Sequence, residues 1–274
     1  MVKQNLHTHS VYCDGKDTLE EMIQSAIEKK FTILGFSGHG FTPGDDVGMS
    51  LEDTLKYQKE IKALKLKYRN QIQIYLGIEQ DMLYRIEHPE NYDFIIGSKH
   101  YVKGFGLENG IDASYEITKS LLEKYYHNNF LEYAKDYYQD LQKMSFWNEV
   151  DIIGHVDLLM KFNENEDFIS FNNQKYIQMA CDAIDCFIAN DKIIEVNTGA
   201  IARGYRSKPY PDKNLLAYIY EKKGKILLNS DCHNRDFLDC GYDESLCLIK
   251  KIGFTSMEVL TEDGFKSVDL KEFY

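Results

Sequence analysis

The chain has no apolar run approaching the roughly 20 residues that span a bilayer, and its first residues show neither the apolar core nor the cleavage site of a secretory leader. A cytoplasmic protein with no membrane partner is expected. Its six cysteines include no C-x-x-C pair and no tight disulfide spacing, which argues against a cysteine zinc site and for reduced thiols packed as small apolar groups. Positive charge is also in deficit, with 32 Lys and Arg against 44 Asp and Glu and a formal net charge of −12. That balance opposes nucleic-acid binding, which needs a basic face. No Pro/Ser-rich linker, repeat or low-complexity tract divides the 274 residues, so one domain over 1–274 is expected. Histidine is scarce as well, eight in all, and its placement is therefore informative.

What the sequence does contain is an alternation. Seven short apolar stretches rich in β-branched residues read as strands: "KQNLHTH", "FTILGFSGHG", "IQIYLGIEQD", "YDFIIGSKHY", "VDIIGHVDLL", "KIIEVNTGA" and "KILLNSDCH". Between them lie segments of helical period such as "TLEEMIQSAIEKK" and "NNQKYIQMACDAIDCFIAN". Strand and helix in alternation imply an α/β fold of parallel strands with helices outside, as an open sheet or a closed barrel. A Tyr-rich stretch at about 101–147 is longer than a normal connection and is expected as a helical insertion over the top of the fold.

Polar residues fall at the ends of these strands. His7 and His9 end the first, His39 the second, Glu79 and Asp81 the third, His100 the fourth, His155 and Asp157 the fifth, Asn197 the sixth, and Asp231 and His233 the seventh. In a parallel barrel all C-terminal strand ends share one mouth, so residues distant in sequence converge there. Residues i and i+2 of a strand point to the same side, which lets His7 and His9, or Asp231 and His233, offer two ligands to one ion. A metal site follows. Cys232 and Lys99 alternate away from the ligand face and are expected in packing, while His88 and His127 fall in polar surface contexts.

The ordered set HTH, SGHG, GIEQD, GSKH, GHVDLL, NTG and SDCH resembles the PHP (polymerase and histidinol phosphatase) superfamily, and within it the stand-alone histidinol-phosphate phosphatases, over nearly the whole chain. The resemblance implies a distorted (β/α)7 TIM-like barrel with three divalent ions at the C-terminal ends of its strands. Carried over by motif, it implies that His7, His9, Glu79 and Asp231 hold one ion. Glu79 would bridge to a second, completed by His100 and His155, and His39 and His233 would bind a third with Asp14. Nitrogen and carboxylate ligands without thiolate suit Zn²⁺, Fe²⁺ or Mn²⁺ alike.

Clustered divalent ions suit phosphoryl chemistry, because they acidify a bridging water and neutralise charge on the phosphoryl oxygens. Here that water would be held by Glu79, Asp231 and His233. The ions also explain how an acidic chain recruits an anion. Arg203 and Arg206 follow the sixth strand and Lys161 the fifth, which makes them candidates for gripping the phosphate. The leading expectation is an enzyme that hydrolyses L-histidinol phosphate, a small-molecule monoester, in histidine biosynthesis. The alternatives are a relative acting on nucleotides, nucleic-acid ends or phosphodiesters, and a non-enzymatic metal-binding protein. Oligomeric state is not encoded in any feature of the sequence.

Overall fold

The stretches expected as strands form β1 (Gln4–Asn5), β2 (Ile33–Phe36), β3 (Gln73–Asp81), β4 (Phe94–Ser98), β5 (Ile152–Ile153), β6 (Ile193–Asn197) and β7 (Ile226–Asn229). The computed structural model describes residues 1–104 and 106–273; Phe105 of the Tyr-rich insertion and Tyr274 lie outside them. Each strand pairs in parallel with the next, from β1 through β7. Residues just past β7 and β1 bring the ends of the sheet together, with His9 N donating to Cys232 O at 2.9 Å and Cys232 N to His7 O at 3.1 Å. The architecture is a (β/α)7 TIM-like barrel. Every residue of β2, β4, β5, β6 and β7 is buried, because one face of each strand meets the barrel interior and the other meets helices. At one level of that interior a phenyl ring replaces missing side chains: an ideal Cβ on Gly77 would stand 2.2 Å from Phe94 Cζ, and one on Gly35 2.8 Å from the same atom.

The outer layer comprises α1 (Leu19–Glu28), α2 (Leu51–Tyr68), α3 (Tyr115–Tyr126), α4 (Phe130–Leu141), α5 (Gln174–Ala189), the single turn α6 (Gly199–Ala202), α7 (Lys213–Glu221) and α8 (Tyr242–Ile252). Thr18 and Glu21 form a capping box at the start of α1, and Ser50 caps α2, each satisfying N–H groups that a helix start leaves open. The tyrosines of the insertion are explained by packing. Helix α4 buries Phe130, Tyr133, Ala134, Tyr137, Tyr138 and Leu141, a spacing of three and four that makes one apolar stripe. This stripe lies against α5, where the Tyr138 and Tyr176 hydroxyls meet at 2.9 Å, and buried Lys99 ties the end of β4 to Asp140 of α4 at 2.7 Å. Of the insertion, Tyr101 and the 110–113 segment reach the mouth of the barrel.

The sequence reading did not anticipate an antiparallel hairpin, β8 (Ser256–Thr261) and β9 (Gly264–Asp269). It docks at the start of β1, where Gln4 donates to Glu258 O at 3.3 Å and accepts from Leu260 N at 2.8 Å. All six cysteines are free, and Cys232 is buried. Among the described residues no helix is long and apolar enough to cross a membrane.

Candidate metal centre

The histidines and most acidic residues expected at strand ends are delivered to the mouth by the strand before them, whereas Asp157 accepts from Asp212 N at 2.9 Å and Asn197 donates to Glu195 at 2.8 Å, away from the cluster. His7 and His9 follow β1, His39 follows β2 and pairs in register with Glu79, and Glu79 and Asp81 end β3. His100 follows β4, His155 follows β5, and Asp231 and His233 follow β7. Asp231 adopts φ +49°, a left-handed conformation that Asp tolerates better than most residues. His88 and His127 are exposed and stand apart.

Glu79 lies at the centre. Its Oε2 is 3.2 Å from His7 Nε2, 3.6 Å from His9 Nε2 and 3.0 Å from His39 Nδ1, while its Oε1 is 3.3 Å from His100 Nε2 and 3.0 Å from His155 Nε2. Asp231 Oδ1 stands 3.3 Å from His9 Nε2 and 3.7 Å from His7 Nε2. Asp14 Oδ2 is 3.1 Å from His233 Nε2, and its Oδ1 is 3.5 Å from His9 Nδ1 and 3.8 Å from His39 Nε2. Three groups of candidate ligand atoms, each within 4.8 Å of one another, emerge: His7, His9 and Glu79; His39, Glu79 and His100; and His9, Asp14, His39 and His233. His9, Glu79 and His39 each belong to two of these groups.

The chemistry of this set fits divalent ions. The Nε2 atoms of His7 and His9 are buried and make no hydrogen bond, although carboxylate oxygens stand 3.2–3.7 Å away. Ligand atoms about 2.1 Å from a tetrahedral ion are roughly 3.4 Å apart, so these separations match a shared ion better than a hydrogen-bonded network. Without metal, the carboxylates of the cluster are held ionised by the imidazoles around them, and those carboxylates in turn raise His7, His39 and His100 against burial. Burial disfavours charge on Glu79, yet His7, His100 and His39 hold its carboxyl well below the usual range. Burial likewise opposes ionisation of Asp231, and Arg203 and His7 hold it low. Burial, with His233 and His39 close by, pulls His9 down to about 3, which keeps it a neutral imidazole able to donate a lone pair.

The three cationic candidates separate. Arg203 reaches the centre: its Nη2 donates to Asp231 Oδ2 at 3.0 Å, and its Nη1 lies 3.1 Å from His233 Nδ1. It lines both the cavity of about 200 Å³ over the cluster and an adjoining one of about 480 Å³. Lys161 lines only the adjoining cavity and is tied down by Asp112, with its Nζ 2.7 Å from Asp112 O and 3.1 Å from Asp112 Oδ2. Arg206 does not join the cluster. Its guanidinium is buried between the Phe171 and Tyr210 rings and beside Glu164 at 3.6 Å, where it lines a separate cavity. The loop after α6 turns between Arg203 and Arg206 and sends the two side chains to different places.

Two further carboxylates support the ligands: Asp81, placed at a strand end by the sequence but given no role there, and Glu195, which the sequence reading does not single out. Asp81 Oδ2 accepts from His100 N at 2.8 Å and lies 3.3 Å from His100 Nδ1. Glu195, inside β6, is fully buried and accepts from His7 Nδ1 at 2.7 Å. Its place between Ile194 and Val196 made it read as strand interior; an acidic residue inside an apolar strand that points inward was the available signal.

Comparison with known proteins agrees with this geometry. The PHP domain family matches residues 5–199. A histidinol-phosphatase of Lactococcus lactis is 26% identical over 283 residues, covering 97% of this chain and 96% of that protein. A histidinol-phosphatase of Bacillus subtilis is 24% identical, covering 88% of this chain and 97% of its own length. Among solved structures, a histidinol phosphate phosphatase of Lactococcus lactis complexed with zinc, L-histidinol and phosphate superposes with a TM-score of 0.70 at 20% identity, over 96% of this chain and 98% of that one.

Proposed function

Since the chain belongs to the PHP domain family, we propose that it is a metal-dependent phosphomonoesterase that hydrolyses L-histidinol phosphate to L-histidinol and phosphate. The observation that carries this reading is the cluster around Glu79, with five imidazoles on one carboxylate and the Arg203 guanidinium alongside. The end-to-end likeness to histidinol-phosphatases narrows the substrate. Three ions of Zn, Fe or Mn suit the three groups of ligand atoms. In this reading His7, His9, Glu79 and Asp231 hold one, Glu79 with His100 and His155 a second, and Asp14, His39 and His233 a third. When bound, the ions would acidify a water held near Glu79, Asp231 and His233 and neutralise the phosphoryl oxygens.

The remaining work falls to the chain itself. Arg203 keeps donors free of Asp231 that can bond a phosphoryl oxygen, and its fixed charge lies over the carboxylate that faces the cluster. Lys161, anchored on Asp112, adds positive charge to the adjoining cavity through which an anion would approach. The test is a phosphate-release screen on metal-reconstituted protein, with histidinol phosphate set against other monoesters, nucleotides and phosphodiesters. Preference for histidinol phosphate in kcat/KM is expected. A hundredfold preference for a nucleotide or a diester would overturn the reading.

A further inference from the structure

Glu195 is not among the ligands, yet its surroundings are more fully determined than theirs. Its Oε1 accepts from His7 Nδ1 at 2.7 Å and from Asn229 Nδ2 at 2.8 Å; its Oε2 accepts from His155 N at 2.9 Å and from Asn197 Nδ2 at 2.8 Å. A carboxylate offers about four lone-pair sites, and all four are used. Neither asparagine can turn its oxygen toward Glu195. The Asn229 Oδ1 already accepts from Leu6 N at 2.8 Å, and the Asn197 Oδ1 from Gly199 N at 2.8 Å. With donors fixed on every side, the Nδ1 of His7 has to present N–H to Glu195, because a lone pair there would face a carboxylate lone pair at hydrogen-bond distance.

We infer that Glu195 is a positioning residue that assigns the two ring nitrogens of His7 and so controls occupancy of the ion position formed by His7, His9 and Glu79. With Nδ1 committed to donation, the only lone pair that His7 can offer an ion resides on Nε2, the atom that faces Glu79 and Asp231. Without Glu195, the proton is free to move to Nε2, where Glu79 Oε2 at 3.2 Å would accept it. The cluster would then satisfy itself by hydrogen bonding and give up a ligand. Glu195 thus keeps the site open for metal. The inference rests on the metal-binding part of the function proposed above but not on the substrate.

Glu195→Gln isolates the effect. The new amide NH₂ must face either His155 N and Asn197 Nδ2, both immovable donors, or Asn229 Nδ2 and His7, whose imidazole alone can change its proton. The exchange therefore falls on His7. Zinc content and chelator competition, measured without any phosphate ester, should show one equivalent of zinc lost or weakened by about 10- to 100-fold. The other equivalents should be held as in wild type, and the metal-free proteins should melt within a few degrees of each other. A full zinc complement with affinities within twofold would overturn the inference. So would equal weakening of every site together with a collapse in the melting temperature of the metal-free variant, since that marks a merely structural role. A measurement on the unaltered protein stands beside these: ¹⁵N-histidine spectra of the zinc-loaded enzyme should show His7 Nδ1 protonated, and an unprotonated Nδ1 refutes the assignment. Turnover enters none of these readouts, so failure on histidinol phosphate alone would overturn the proposed substrate and leave Glu195 untouched.

Discussion

Five imidazole nitrogens converge on the Glu79 carboxylate within 3.6 Å, so a neutral amide there removes the charge from all five contacts and the accepting oxygen from two or three of them. Glu79→Gln should lower kcat/KM by more than about 100-fold, beyond the usual cost of an outer hydrogen-bond partner, with reduced bound metal. Asp231→Asn should behave alike. Full activity with undiminished metal in either variant would remove it from the centre. Arg203→Met should cost one or two charge-assisted bonds to phosphate, about 1.5–3 kcal/mol or roughly 10- to 150-fold in kcat/KM, and should weaken inhibition by inorganic phosphate in parallel. If both constants stay within twofold of wild type, Arg203 serves only Asp231. At this scale the ligands were legible because strand alternation fixes direction: His7 and His9 share a face by geometry alone. Arg203 and Arg206 were not distinguishable, because both sit after α6 in a loop whose path no periodicity encodes.

The strands of the barrel are legible as elements because each combines a buried apolar run with a polar end, whereas β9 has no buried residue and the buried apolar run of β8 is interrupted by Glu258. Two elements show where stability is concentrated. Gly77 of β3 and Phe94 of β4 are register partners, and Gly77→Ala would drive a methyl into the ring. Overpacking of this kind costs about 1–3 kcal/mol, which a thermal melt would register as a loss of several degrees; an unchanged melting temperature would mean that the ring simply moves. Outside the barrel, Asp239 receives Lys3 Nζ at 2.7 Å and Lys29 Nζ at 2.8 Å, joining the approach to β1, the end of α1 and the segment after β7. Burial opposes its ionisation, but the Lys29 and Lys3 ammonium groups hold its pKa below the ordinary value. A lowered folded-state pKa stabilises above the unfolded value of about 3.9 and is lost as pH falls through the folded one. Asp239→Asn should therefore destabilise by about 1 kcal/mol at neutral pH, and the gap to wild type should close below about pH 4. A gap that persists there would point to shape rather than charge.

For the molecule as a whole, binding of ions to the folded state alone adds about 2.7 kcal/mol per site at 100 times the dissociation constant. Exhaustive chelation should abolish phosphatase activity and lower the melting temperature by several degrees, and Zn²⁺, Mn²⁺ or Fe²⁺ should restore both. Activity that survives verified metal removal would eliminate the mechanism. The net charge of −12 acts in the same direction, since the apo protein repels the anion that the loaded cluster attracts.

The junction of β7 and β1 gives that dependence a time axis. Side chains stand in for part of a ladder there: Leu6 N bonds to Asn229 Oδ1 at 2.8 Å and Asn5 Nδ2 to Ser230 Oγ at 2.6 Å. The next residues along both chain segments are His7, His9, Asp231 and His233. An ion shared by His9 and Asp231 would fasten the junction as a rivet does, because its two ligands come from the two segments. Parting of the two segments would then require those ligands to separate, so sub-global opening at the junction should be slower with metal than without it.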